Sequence, residues 1–286
     1  VEDRRAEIRN FIMDTRTLPT LPGIVTRLNS LADNDKTSIQ EMSRLVSSDQ
    51  VLSARILRLA NSPSYGFYRV ATISNAMILL GVDVVKSLVL SSSIFEIMEK
   101  NVLGLWEHSL GAGVAANIIA KRLRLPESEE ISTAALLHDI GKVIIRLSSQ
   151  EKFPDLPARI AEKGLTTYEA EREILGTDHA EVGGWLAKSW FLPEKLIVPI
   201  AFHHDVEASP LHQTKTAVVH LADILIKASG FGFSDNEFVP PIQPAAWNKL
   251  GMTEGILAEI VDEMEERLID VKNFSLEILS ADDSQA

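Results

Sequence analysis

Cysteine is absent from the 286 residues, which excludes a disulfide framework, a thiolate metal site and a cysteine nucleophile. Any metal must be held by histidine and carboxylate, a composition that suits iron, manganese or zinc. Long apolar runs are missing too. Nothing approaches the roughly 18 consecutive apolar residues that span a bilayer. The first residues are charged (Glu2, Asp3, Arg4, Arg5) where a secretory signal would be apolar, so the chain reads as cytoplasmic. Positive charge is in deficit: 28 Lys and Arg against 40 Asp and Glu give a formal net charge of -12. That balance argues against a broad nucleic-acid surface, which needs a basic patch or stripe, and leaves only local basic pockets. Period-two alternation is nowhere sustained, and no internal repeat or low-complexity tract is visible. The expected fold class is all-α, and 45% hydrophobic residues are ample for a core.

Helical periodicity is what fills the chain. A short leading helix over 2–13 ends before Leu18-Pro19-Thr20-Leu21-Pro22, where each proline biases its predecessor away from helix. Ile24, Leu28, Leu31 and Ala32 then share one face, as do Ile39, Met42 and Val46 behind Ser38, and Leu52, Ile56, Leu59 and Ala60 behind Asp49. An aromatic loop (Tyr65, Phe67, Tyr68) offers a candidate partner surface, and Ile73 to Leu80 leads to a stop at Gly81 before an apolar helix over 82–100. The second half reads as a helix through Trp106 and His108, a central helix over 128–147, and helices from Thr167, over 178–190 and 193–204, and from Thr214 to Ser229. A Gly/Pro-rich loop over 230–244 precedes a C-terminal segment in which Leu257, Val261, Met264, Leu268 and Val271 recur at heptad-like spacing. That stripe must be covered, either by this chain's own helices, which two heptads favour, or by a second copy in a homodimer.

The run Leu18-Pro19-Thr20-Leu21-Pro22, then Leu57-Arg58-Leu59-Ala60-Asn61-Ser62, Tyr65-Gly66 and Ile73 to Gly81 is similar to the N-terminal half of the HDOD family, the HD-related output domains of bacterial signalling proteins. The resemblance covers about residues 18 to 100 and continues as that family's HD-like half to about residue 230. It implies an N-terminal helical half (18–100) and an HD-like half carrying a metal site (101–230); periodicity adds a leading helix (1–17) and a loop with a C-terminal amphipathic helix (231–286). Where the family commonly has proline after Asp49, this chain has Gln50.

The stretch Leu136-Leu137-His138-Asp139-Ile140-Gly141-Lys142 carries the chemistry. An imidazole and a carboxylate side by side in an apolar helix are costly to bury unless a charge or a metal compensates. The chain resembles the HD-superfamily phosphohydrolases at His108, His138, Asp139 and Asp223, and the extended ligand set of the HD-GYP relatives at His179, His203 and His204. The resemblance implies one or two divalent transition-metal ions, iron or manganese, with Asp139 as the bridging carboxylate and Lys142 set to neutralise a phosphate oxygen. If the site is catalytic, Asp139 and Lys142 carry the reaction and the metals activate the attacking water. His212 reads as an ordinary surface histidine. His220, one helical turn from Asp223, reads as ordinary or as a partner fixing that carboxylate. After His203-His204 the HD-GYP relatives have Glu and a Gly-Tyr-Pro loop, whereas this chain has Asp205 to Pro210. Weak or absent cyclic di-GMP hydrolysis is therefore expected despite an intact metal site. The leading expectation is a signalling module acting through signalling-protein partners or a small phosphate ligand; the alternative is an active metal-dependent phosphohydrolase.

Overall fold

The computed structural model describes residues 2–13, 38–47, 70–81, 102, 104–149, 165–190, 192–232 and 238–283, together with Ile56, Ala60 and Val85. The helix expected over 24–32, the aromatic loop, and most of the helices expected over 49–60 and 82–100 lie outside them. The described elements are all helices: α1 (Glu2–Met13), α2 (Ile39–Ser47), α3 (Ile73–Leu80), α4 (Leu105–Arg122), α5 (Ser128–Leu137), α6 (Ile140–Ser149), α7 (Thr167–Leu175), α8 (His179–Ser189), α9 (Glu194–Phe202), α10 (Gln213–Ser229), α11 (Pro244–Leu250) and α12 (Glu254–Asp283). None is long and apolar enough to cross a membrane. The chain divides into two compact units, one of Val1–Pro19 and Met98–Leu268 and the other of Thr20–Ile97 and Ile269–Ala286. The leading helix thus groups with the second half of the sequence, and the division falls within α12.

In the smaller unit, Ser38 and Glu41 exchange side-chain and backbone bonds at the start of α2, a reciprocal cap that satisfies two otherwise orphaned donors. Thr72 caps α3 through the Asn75 N–H. Met42 and Val46 of α2 and Ile73, Ala76, Met77 and Leu80 of α3 are buried, and the two helices pack on each other with Ser43 and Ser74 hydroxyls 2.7 Å apart.

The larger unit is built around α10, whose residues from Lys215 to Ile226 are all buried. It packs on α4, α5, α9 and α11. Small residues make the approach close: α4 presents Gly111, Ala112, Gly113, Ala115 and Ala116, and the Ser132 hydroxyl of α5 donates to the Gly113 carbonyl at 2.7 Å. Glu130 pairs with Lys195 and Lys215, tying the start of α5 to α9 and α10. A helix buried along its length tolerates charge only where the charge is compensated, so Asp223 in α10 marks where the chemistry sits.

The expected central helix over 128–147 is two helices that meet at His138-Asp139. The backbone tightens there, with His138 N–H to the Ala135 carbonyl at 3.5 Å and Lys142 N–H to the Asp139 carbonyl at 3.0 Å, both three residues back. The His138 ring also takes the Ala135 carbonyl, at 2.6 Å, and so competes with the ordinary helical bond.

On α12, Arg122 reaches Glu259 and Glu263 at 2.8 and 3.0 Å. The buried positions are Ile260, Met264 and Leu268, with Leu257 and Val261 half-buried beside them. The side chain of Val271 lies outside the described residues. The stripe is therefore centred on a four-residue step, because a straight helix of 3.6 residues per turn keeps positions i, i+4 and i+8 near one face, and it is covered within this chain. Placing a carboxylate at Leu268 removes burial worth about 2 kcal/mol and adds a desolvation cost. Leu268→Asp is expected to lower the thermal midpoint by about 5 °C or more, and an unchanged melt would show that the stripe is not part of the core.

Candidate metal centre

Helix packing in the larger unit gathers side chains from two helices, one helix junction and two helix ends into one cluster. His108 comes from α4, His138 and Asp139 from the α5–α6 junction, His179 from the first position of α8, His203 and His204 from the end of α9, and Asp223 from α10. All are buried except His204, which is half-buried. Two groups of mutually close ligand atoms result, each within 4.8 Å: His108, His138, Asp139 and Asp223 in one, and Asp139, His179, His203 and His204 in the other. Asp139 belongs to both.

In the first group His108 Nε2 lies 3.0 Å from Asp223 Oδ1 and 3.6 Å from Asp139 Oδ2, while His138 Nε2 lies 3.3 and 3.4 Å from the same oxygens. In the second, His179 Nε2 is 3.1 Å and His203 Nε2 3.7 Å from Asp139 Oδ1, and His179 and His204 Nε2 are 2.8 Å apart. Several rings are fixed from behind. His138 Nδ1 donates to the Ala135 carbonyl, His203 Nδ1 to the Ile200 carbonyl at 2.8 Å, and His179 Nδ1 to Glu171 Oε2 at 2.6 Å. A proton held at Nδ1 leaves the Nε2 lone pair facing inward.

Burial alone would raise the Asp139 carboxyl, but His138, Lys142 and His179 outweigh it and hold it well below the usual carboxylate range. Asp223 is likewise held low against its burial, chiefly by Lys227 and then by His108 and His138. Burial pushes His108, His203 and His204 down. It opposes protonation of His138 and His179 too, yet the neighbouring carboxylates carry these to about 9 and about 10. A proton on those two rings answers the same negative charge that a bound cation would, and the two compete for the Nε2 lone pair.

The residues fit metal ions. Neither Asp139 oxygen meets a donor in hydrogen-bonding geometry, although Lys142 Nζ is 2.7 Å from Oδ2, and His203 Nε2 has no hydrogen bond at all. Buried oxygens and imidazole nitrogens left without partners are costly, and a cation with nitrogen and oxygen ligands answers all of them together.

Lys142 is 6% exposed and pairs with Asp139. His212 is exposed, far from this chemistry in role, at the start of α10 with φ 53. His220 does not serve Asp223 through any hydrogen bond found; its Nδ1 donates to the His203 carbonyl at 2.7 Å and its Nε2 accepts the Gln243 N–H at 3.0 Å, so both ring nitrogens are engaged elsewhere. Sequence reasoning missed Glu171, Lys227 and Gln243. Lys227 Nζ lies 3.0 Å from Asp223 Oδ2, and its four-residue helical spacing was a readable signal. Glu171 accepts both the backbone and ring N–H of His179 across a turn, a spacing that no periodicity reveals.

A cavity of about 220 Å³ opens against His179 and His204, lined also by Lys142, Lys227, Tyr168 and Phe238. This defines an all-helical protein with a buried histidine–aspartate cluster able to hold metal. The chain belongs to the HDOD family: the HDOD domain model matches residues 18–206. An HDOD domain protein of unknown function from Geobacter sulfurreducens is 30% identical, with TM-score 0.80 over 96% of this chain and 98% of that one. A candidate phosphohydrolase from Shewanella amazonensis SB2B shares the fold at 24% identity, TM-score 0.73, over 94% of this chain and 98% of that one. An uncharacterised protein of Treponema pallidum is 26% identical over 201 residues, 68% of this chain, which spans 39% of that relative's length.

Gly141, two residues after Asp139, lets α6 lie on α8. A Cβ there would sit 1.9 Å from the His179 carbonyl oxygen and 2.6 Å from the Gly183 nitrogen, both backbone atoms that cannot swing aside. Gly141→Ala is expected to force α6 and α8 apart, lowering the melting temperature sharply and abolishing metal uptake. Gly113→Ala, whose nearest neighbour would be at 3.4 Å, should be close to wild type in both measurements.

Proposed function

We propose that this chain is a regulatory module of the HDOD family whose Asp139-centred cluster holds two divalent transition-metal ions, iron or manganese, and offers them to a small phosphate-bearing ligand. The observation that carries this reading is the membership of Asp139 in both groups of converging ligand atoms. A carboxylate shared between two cations lowers their mutual repulsion, and the imidazoles complete each shell without adding charge. His108, His138 and Asp223 would hold one ion, and His179, His203 and His204 the other. Bound metals supply Lewis acidity to a phosphoryl group and acidify water.

The chain's own residues would do the rest. Lys142 and Lys227 line the cavity and lie against Asp139 and Asp223. Once cations balance those carboxylates, the two ammonium groups are available to phosphate oxygens as compact point charges. Glu171 keeps the His179 ring oriented, and the apolar side of the cavity, with Phe238, Pro240 and Pro241, excludes water from the ligand. The paired lysines favour a second reading, metal-dependent phosphohydrolase activity, in which Asp139 positions the metals and Lys142 orients the phosphate.

The Gly-Tyr-Pro loop of the HD-GYP relatives is replaced by a closed turn. Val206 N–H donates to Gln243 Oε1 at 3.0 Å, and the buried Ser209 hydroxyl lies 3.0 Å from that of Thr216. Protein purified anaerobically is expected to carry roughly two equivalents of metal, given the ligand count, and Asp139→Ala to empty the site. Equal, negligible metal in both proteins after reconstitution would reduce the cluster to a buried polar network. With iron or manganese restored, cyclic di-GMP should be turned over weakly or not at all. Robust linearisation that disappears in His138→Ala would overturn that ranking and establish the enzyme.

A further inference from the structure

The two halves of the cluster are supported differently, and the difference assigns a task to residues outside it. His108 projects from the first turn of α4, with its N–H on the Gly104 carbonyl at 3.1 Å, and Asp223 from the middle of α10, so both backbones are held by helical bonds. His203 and His204 stand just past the last residue of α9, where helix carbonyls have no partner within the helix. Those carbonyls are taken from elsewhere. The His203 carbonyl receives the His220 Nδ1–H at 2.7 Å, and the His204 carbonyl receives the Gln243 side-chain N–H. Gln243 also donates its backbone N–H to His220 Nε2 and accepts the Val206 N–H at Oε1. The chain of bonds runs without a gap from Gln243 through His220 to His203, and directly from Gln243 to His204. The strap carrying Gln243 is stiff, since Pro240, Pro241 and Pro244 surround it and fix φ at three positions. Neither residue belongs to either group of candidate ligands.

We infer that Gln243 and His220 are positioning residues that set the affinity of the metal position formed by Asp139, His179, His203 and His204, and leave the His108, His138, Asp139 and Asp223 position untouched. The inference rests on the two-ion reading above. Without the clip, the two imidazoles keep their place in sequence but lose the fixed backbone that aims them. Partners of metal ligands of this kind typically change affinity by about 10- to 100-fold. Phe238, Pro240 and Pro241 lie on the same strap and line the cavity with His204, His220 and Gln243, so the wall of the ligand cavity and the aim of two ligands are one mechanical part.

The test is calorimetric titration of manganese alone into the chelator-stripped full chain. Wild type should take up two ions. Gln243→Met, which keeps the volume and removes the bonds, and His220→Phe should each bind one ion as wild type does and the other at least about tenfold more weakly. His220→Asn places an amide N–H where the Nδ1–H lies and should recover much of the loss, a rescue that a general packing defect would not give. Lys195→Met, which breaks the Glu130 pair away from the cluster, controls for stability: it should lower the melting temperature and leave both ions unchanged. Two ions bound as in wild type by Gln243→Met and His220→Phe, or both ions weakened alike, would overturn the inference and leave the two-ion reading standing. Uptake of a single ion by wild type would overturn both.

Discussion

The structure turns on one carboxylate, Asp139, fully buried among imidazoles whose Nε2 atoms face it. An isolated buried carboxylate is among the most expensive groups a protein can carry, so the surrounding architecture is legible as compensation. Lys142 comes from the next helical turn, His138 from the adjacent residue and His179 from a helix that must approach closely. That approach explains Gly141, where no Cβ fits, and it explains why α8 begins at His179: the Asp178 side chain caps the helix through the Glu181 N–H, while Glu171 takes the backbone N–H of His179 itself.

The fold class and the candidate ligand positions were legible in the sequence for physical reasons that differ. Apolar periodicity and the absence of alternating strands gave helices, and the polar residues interrupting apolar helices, His138, Asp139 and Asp223, were conspicuous because burial makes them costly. The set of histidines beyond these was readable only through the ordered resemblance to HD-type proteins. The break at His138-Asp139 was not readable, because it comes from a side chain competing for the Ala135 carbonyl, an event with no periodic signature. Glu171 and Gln243 were hidden for a related reason. Each acts across a turn or a loop, on a backbone group or a ring nitrogen, and neither hydrophobic spacing nor motif order records such a partner. His220 shows the converse. Its spacing from Asp223 suggested a bond along one helix, while its ring is turned to a neighbouring helix end.

Charge balance links the cluster to the cavity. Asp139 and Asp223 are each paired with a lysine that lines the cavity, so the anionic centre and the cationic rim are built from the same contacts. Without cations the lysines answer the carboxylates. Were cations to answer them instead, the positive charge of the rim would face a confined, partly apolar space, where an anion would be held more strongly than in open water. An overall charge of -12 does not oppose this, because exposed charges more than a Debye length away are screened by salt.

The cluster also joins two kinds of support within one site. The His108, His138 and Asp223 half is drawn from the first turn of α4, the α5–α6 junction beside Gly141 and the middle of α10, where the backbones are held by helical bonds and close helix packing. The His179, His203 and His204 half is drawn from the start of one helix and the end of another, where backbone groups are unsatisfied by construction. Some of these groups are met by side chains from other elements: Glu171 takes the His179 N–H, and His220 and Gln243 take the His203 and His204 carbonyls. Helix interiors move as rigid pieces, whereas helix ends move with whatever caps them. The half that faces the cavity is the half tied to the cavity wall through Gln243 and His220, an arrangement through which a ligand in the cavity and a metal ion in the proposed site would report on each other.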